Sequence, residues 1–172
     1  MRKCLAMPNA SPATTAQVLG VYDAEHTEKM ARVLENLGTR QAFVVNGEIT
    51  IDEISICGPT RVTQLKDGTI DTFEMTPEAH GFKRTEPAAI NGGDANQNAD
   101  IIRKILDGQK GPQTDVVLLN AAAAFVSAGI DRDFKDGIQR ARQALDSGRA
   151  AEKLDAVIDF TRQCDVFVRR AM

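Results

Sequence analysis

Two acidic residues, Asp52 and Glu53, stand side by side in the stretch IDEISICGPT, residues 51–60. Adjacent carboxylates are hard oxygen donors. They suit a cation such as Mg²⁺, which takes one or two carboxylates and fills its other positions with water and substrate phosphate oxygens. Along a strand, neighbouring side chains point to opposite faces. The pair can therefore converge only at a strand's end or in the turn before it. On spacing alone the plainer reading is two solvated turn residues. Residues 54–57 read as a short buried strand, and Gly58-Pro59 reads as the backbone break that ends it.

Other residues carry weaker chemistry. Asn91-Gly92-Gly93-Asp94 resembles an anion cradle at a helix start, where free N–H groups point outward. Asp94 is also a natural N-cap, and a capping carboxylate takes the place an anion would use. The simple Gly turn is thus the favoured reading, and no Gly-Lys-Ser/Thr follows to make a phosphate loop. His26 and His80 have no Cys or acid partners at ligand spacing and read as surface histidines. Ser55 and Ser127 lack the context of a nucleophile elbow. Cys4, Cys57 and Cys164 are odd in number and scattered, which reads as reduced, packed thiols and not as disulfides or a metal knuckle.

The elements that must position these groups follow from the pattern. With 172 residues the chain can build one domain with a core. Its 42% hydrophobic and 26% charged residues exclude a disordered chain. A net charge of −3 speaks against a nucleic-acid binder, although Arg140, Arg142 and Arg149 form a local basic run. No apolar stretch reaches the length of a membrane span, and the apolar part of MRKCLAMPNASP is too short for a secretory core. A cytoplasmic protein is expected.

QVLGVY (17–22) and QAFVV (41–45) read as buried strands around an amphipathic helix that ends at Gly38. Strand, helix and strand in that order favour a parallel pair. Asn46-Gly47 is a turn signal, and Asp67-Gly68 between two β-type runs predicts a hairpin over 60–77. EAHGF reads as a short turn or helical piece. Beyond Asp94 the pattern is helical. Asp94 and Gln97 have capping-box spacing, with a stripe of Ile101, Ile102, Ile105 and Leu106 behind them. Residues 114–129 are apolar nearly all round and predict a central helix, whose alanines allow close neighbours. Residues 133–148 and the stretch from 149 to 164 are amphipathic helices. The final DVFVRRAM shows no clear pattern.

Taken together, DEIS, GPT, the Lys-Asp-Gly hairpin, Gly-Gly-Asp with Asn98-Ala99, and LLNAA resemble anthranilate phosphoribosyltransferase, in order, from about residue 17 to 160. PNASPA is a fainter echo of a turn in that family. The resemblance implies transfer of phosphoribosyl from phosphoribosyl pyrophosphate to the amine of anthranilate, in tryptophan biosynthesis. It implies an α/β fold, a mainly parallel sheet flanked by helices, like that of the nucleoside phosphorylases and here truncated at the N-terminus. It implies Mg²⁺ as cofactor, held by the family's Asp-Glu pair, which matches Asp52 and Glu53.

The sequence corresponds to the C-terminal portion of the family's chain. The Gly-Thr-Gly-Gly-Asp loop that binds diphosphate, a Lys-His-Gly-Asn segment, a Ser metal ligand and an anthranilate-contacting Arg lie upstream in the family. Asn91-Gly92-Gly93-Asp94 aligns to a later segment and inherits no substrate role. The expected organisation is an irregular segment over 1–16, the C-terminal part of the catalytic α/β domain over 17–162, and a tail over 163–172. The isolated chain is expected to be inactive or nearly so, and to pair with a complementary N-terminal half or with its own copies. The alternative is a catalytically inactive fragment or partner-binding relic. Membrane and nucleic-acid partners are not expected.

Overall fold

The computed structural model describes residues 15–49 and 51–170, with side chains to residue 163. Its order is β1 (Ala16–Gly20), α1 (His26–Asn36), β2 (Gln41–Gly47), β3 (Thr60–Lys66), β4 (Thr69–Met75), then α2 (Ala95–Leu106), α3 (Pro112–Ser127), α4 (Phe134–Asp146) and α5 (Arg149–Arg170). Two short 3₁₀ turns, Glu78–His80 and Pro87–Ile90, link the sheet to the helices. The first of them is the helical piece expected at EAHGF.

The four strands form one sheet in the order β1-β2-β3-β4. β2 is a run of apolar residues buried on both sides of the sheet, as a central strand must be. Its alternation divides the core. Phe43 and Val45 join Ile54, Ile56, Val62 and the α3 residues Leu118, Leu119 and Ala122 on one face. Ala42 and Val44 join Ala31, Leu34 and Leu65 under α1 on the other. Burying side chains of this size contributes about 1.5–3 kcal/mol each. The expected central helix is α3, which packs on β1, β2 and α4. Its alanines do permit close approach: a Cβ on Gly137 of α4 would lie 3.0 Å from Ala122.

The α/β class holds, while the expectation of a mainly parallel sheet needs correction for these residues. β1 and β2 are parallel, but β2–β3 and β3–β4 are antiparallel. A parallel pair needs a crossover, usually a helix, and only α1 supplies one. Asp67 (φ 46°) and Gly68 (φ 81°) make the two-residue turn with both central residues left-handed, the form that matches strand twist. The hairpin signal at Asp67-Gly68 is therefore realised.

Two local expectations fail. Asn46-Gly47 is not a turn: both residues close β2, opposite Arg61 and Thr60. Residues 54–57 are not a strand but an irregular segment buried between the strand ends and α3. In the stripe of α2 only Ile105 is buried, and Ile102 is 48% exposed. Of the expected irregular segment 1–16, residues 1–14 lie outside the described residues, with PNASPA and Cys4 among them. α5 runs on to Arg170, past the boundary drawn at residue 163.

Candidate functional site

Asp52 and Glu53 lie in a bend outside any strand, so strand alternation does not separate them. Both are exposed, while the next three residues, Ile54, Ser55 and Ile56, are at most 1% exposed. The chain arrives there by a tight reversal. Gly47 N–H donates to Ile51 C=O at 2.8 Å, and Glu48 N–H donates to Pro59 C=O at 2.9 Å. The loop from 48 to 59 thus leaves β2 and returns to β3 after lying across the ends of the strands.

Two glycines make that possible. A Cβ on Gly20, the last residue of β1, would sit 1.6 Å from the carbonyl oxygen of Asp52. A Cβ on Gly47, the last residue of β2, would sit 2.7 Å from the carbonyl oxygen of Glu53. Here glycine serves close approach of backbone to backbone. The acid pair is seated on the carboxyl ends of the parallel pair of strands, the position where open α/β sheets bind ligands.

Side chains then hold the buried half of the loop. Asn120 of α3 accepts from Ile54 N–H at 2.9 Å and donates to Ile54 C=O at 2.9 Å. Its amide also donates to Val116 C=O at 3.0 Å. Thr60 Oγ1 accepts from Ser55 N–H at 2.9 Å, and Ser55 Oγ accepts from Cys57 N–H at 3.0 Å. A buried loop must satisfy its main-chain groups, and these three side chains do so. LLNAA and GPT mark Asn120 and Thr60 in the sequence, yet their task was not legible there. The available signal was one amide in an otherwise apolar helix, which calls for a partner.

A cavity of about 750 Å³ opens behind the loop, lined by Glu48, Cys57, residues 83–87 and Asp115. Asp52 and Glu53 do not line it. Burial pushes the Cys57 thiol up, opposed by its hydrogen bond with Ser55 and reinforced by Glu86 and Glu48. Burial also raises the Asp115 carboxyl, opposed by Arg142.

The weaker candidates resolve into structure. Asn98 closes on the Gly93 peptide, accepting from its N–H at 2.8 Å and donating to its C=O at 3.0 Å. Asp94 and Gln97 form the expected capping box, each accepting from the other's N–H at 2.9 Å. The N–H groups of Gly93, Asp94 and Gln97 in the would-be anion cradle are therefore used internally. His26 is exposed, whereas His80 is half-buried against Phe134, with ring centroids 5.1 Å apart. That burial holds the imidazole below its ordinary value. Ser127 Oγ donates to Ala124 C=O. Arg140 makes two bonds to Asp131, and Arg142 lies over Phe82.

The donor set fits a hard cation. Two exposed carboxylates on adjacent residues leave the remaining positions to water and phosphate oxygens, the arrangement Mg²⁺ favours. Among the described residues no group of three or more His, Cys, Asp or Glu could hold a metal by protein ligands alone. No described helix is long and apolar enough to cross a membrane.

A sheet with α1 on one face and α3 and α4 on the other, carrying an acid pair at its strand ends, defines an α/β domain. Residues 5–151 match the family model described as "Glycosyl transferase family, a/b domain", and the chain belongs to that family. Within it, the chain is 46% identical over 157 residues to anthranilate phosphoribosyltransferase of Desulfatibacillum aliphaticivorans, covering 91% of this chain and 46% of that one. It is 39% identical to the crystal structure of the Thermus thermophilus enzyme of the same name, at a TM-score of 0.79 over 88% of this chain and 44% of that one. A Saccharomyces cerevisiae anthranilate phosphoribosyltransferase solved in complex with PRPP and Mg aligns at 27% identity and a TM-score of 0.76, over 84% of this chain and 42% of that one. The chain thus spans a little under half the length of the relatives it matches.

Proposed function

We propose that these residues form the C-terminal α/β portion of an anthranilate phosphoribosyltransferase, with Asp52 and Glu53 as ligands of a Mg²⁺ ion carried on the diphosphate of phosphoribosyl pyrophosphate. The observation that supports this most is the seat of the acid pair. The loop brings two exposed carboxylates to the carboxyl ends of β1 and β2, over two glycines that admit no Cβ. When bound, the ion offsets negative charge that grows on the departing pyrophosphate. The chain's own work is positional. Asn120, Thr60 and Ser55 fix the loop behind the acids, so that the carboxylates are held before substrate arrives.

Several negative charges on a diphosphate need backbone donors and cations around them as well. We assign those donors to the portion of the relatives that this chain does not span. By itself the 172-residue chain should bind substrate poorly and turn over little. A cytoplasmic setting accords with that biosynthetic role.

The test is transfer to anthranilate, followed by loss of its fluorescence. The chain is mixed with the remainder of the Desulfatibacillum relative, purified as a separate polypeptide. Activity should appear in the mixture and fall at least about a hundredfold in Asp52→Asn/Glu53→Gln. Activity that the double variant leaves intact would sink the metal assignment. A mixture that forms a complex without turnover would favour a binding relic.

A further inference from the structure

We infer that Asn46 is a positioning residue for the acid pair. Its side-chain amide ties together the two strand ends on which Asp52 and Glu53 are seated, and so sets the spacing of the two carboxylates. This inference rests on the metal reading above and adds a residue that acts on the pair from behind.

The two acids have separate seats. A Cβ on Gly20 would lie 1.6 Å from the carbonyl oxygen of Asp52 and 2.8 Å from its Cβ, so Asp52 rests on the end of β1. A Cβ on Gly47 would lie 2.7 Å from the carbonyl oxygen of Glu53, so Glu53 rests on the end of β2. The gap between the carboxylates therefore follows the offset between the two strand ends. The paired register of β1 and β2 stops at Gly20 and Val45. Past it, Val21 N–H donates to Val45 C=O at 2.9 Å. A side chain makes the next bond: Asn46 Nδ2 donates to Val21 C=O at 2.8 Å. Two adjacent residues of β2 thus hold both main-chain groups of Val21. Val21 is one residue past the Gly20 seat, and Asn46 is one residue before the Gly47 seat.

The local chemistry points the same way. Asparagine is depleted in strands, yet Asn46 follows four buried apolar residues of β2, Ala42 to Val45. Val21 is 8% exposed, so its C=O has little water to turn to and needs a protein donor. Arg61, opposite Asn46 on β3, is turned instead to α1, where its Nε donates to Thr27 Oγ1 at 3.2 Å. An ion shared by two carboxylates is sensitive to the offset that the amide fixes. Mg²⁺ demands near-octahedral geometry with oxygens at about 2.0–2.1 Å, and a site loosened by more than about 0.5 Å loses its productive arrangement.

The experiment uses the full 172-residue chain with Mn²⁺ alone as probe, an ion that shares the oxygen preference of Mg²⁺, followed by water-proton relaxation. Asn46→Leu keeps the bulk of the side chain and removes the donor. It should weaken Mn²⁺ binding about tenfold, the low end for residues that orient a metal's ligands. In Glu53→Gln the ion has one carboxylate and the spacing no longer matters, so there the same substitution should change affinity by less than about twofold. A merely structural role would carry the loss into both backgrounds. Coupling is reciprocal, so Mg²⁺ should slow hydrogen exchange at Val21 N–H of the unaltered chain about fivefold or more, with no change at Gly93. That measurement decides the matter where Asn46→Leu fails to fold. An equal loss in both backgrounds, no loss in either, or exchange at Val21 that Mg²⁺ leaves as it was overturns the inference. The metal reading is scored separately by Asp52→Asn/Glu53→Gln. If that double variant binds Mn²⁺ as well as the unaltered chain, or the unaltered chain binds none, the reading falls and this inference with it. If the double variant loses the ion and Asn46→Leu does not, the inference falls alone.

Discussion

Asn120 and Asn98 make the same pair of hydrogen bonds to two different peptides. Each side-chain oxygen accepts from one N–H, and each amide donates to the C=O of the same residue. Asn98 reaches five residues back, to Gly93, in an exposed turn before α2. Asn120 reaches 66 residues back, to Ile54, in a loop that carries the acid pair. Water can replace the first clamp when it opens. Ile54 is 1% exposed, so little water reaches the second. The cost of losing a hydrogen bond lies mainly in the group left unpaired and unsolvated. Identical chemistry should therefore be worth little at one site and much at the other.

The largest effect should come from Asn120→Ala. It strands the N–H and C=O of Ile54, at about 1–3 kcal/mol for each group. A loss of about 3–4 kcal/mol is expected in urea unfolding, with the slope unchanged. A loss under about 1 kcal/mol would mean that the loop does not depend on the clamp, and the contrast with Asn98 would fall.

Gly20→Ala approaches the same loop from below. A methyl 1.6 Å from the Asp52 carbonyl cannot be accommodated without moving the backbone. About 2–3 kcal/mol of destabilisation is expected, in the range of overpacked cores. Hydrogen exchange at Ile54 should quicken while that at Gly93 stays as it was. Equal change at both would show that the two regions are not independent.

Asn98→Ala should cost about 0.5–1 kcal/mol, since its partners are exposed and the Asp94–Gln97 capping box remains. Thermal melting of the variant would check this, and a loss as large as that of Asn120→Ala would erase the distinction drawn here.

The smallest effect concerns pH. His80 packs against Phe134 with the rings tilted at 46°, and Phe134 in turn lies 5.5 Å from Phe43 in the core. Burial lowers its folded pKa beneath the ordinary 6.5, so the folded state prefers the neutral ring. Stability from this group is therefore fully present above about pH 6.5 and declines as pH falls below it, levelling off beneath the folded value. Melting temperatures between about pH 7.5 and 5 should fall less steeply in His80→Gln than in the unaltered chain. A slope that the substitution does not change would assign the acid sensitivity to carboxylates instead.

Legibility in the sequence followed the distance over which each feature is enforced. The Asp94–Gln97 box, the Asp67-Gly68 hairpin, the α1 crossover and the apolar α3 all arise from neighbours within a few residues, and each reads directly from its pattern. Residues 54–57 carry the β-branched composition of a strand but do not form one. Propensity is a weak prior against tertiary demand, and the peptide groups that would have joined a ladder are taken by Asn120, Thr60 and Ser55. Asn46-Gly47 misleads for a related reason: its glycine is there to let Glu53 and Ser55 lie against β2.

By itself the sequence determined most of the element types, because side-chain period and residue chemistry are local properties, and its motifs carried the resemblance to the family and singled out the two carboxylates. Only the tertiary structure decided that those carboxylates stand exposed on the carboxyl ends of a parallel pair. It alone decided that two glycines and one distant asparagine hold them there, and that the β4 edge of the sheet carries exposed charge. Those outcomes depend on which main-chain groups are left facing one another after the sheet has formed, and that is a property of the whole fold.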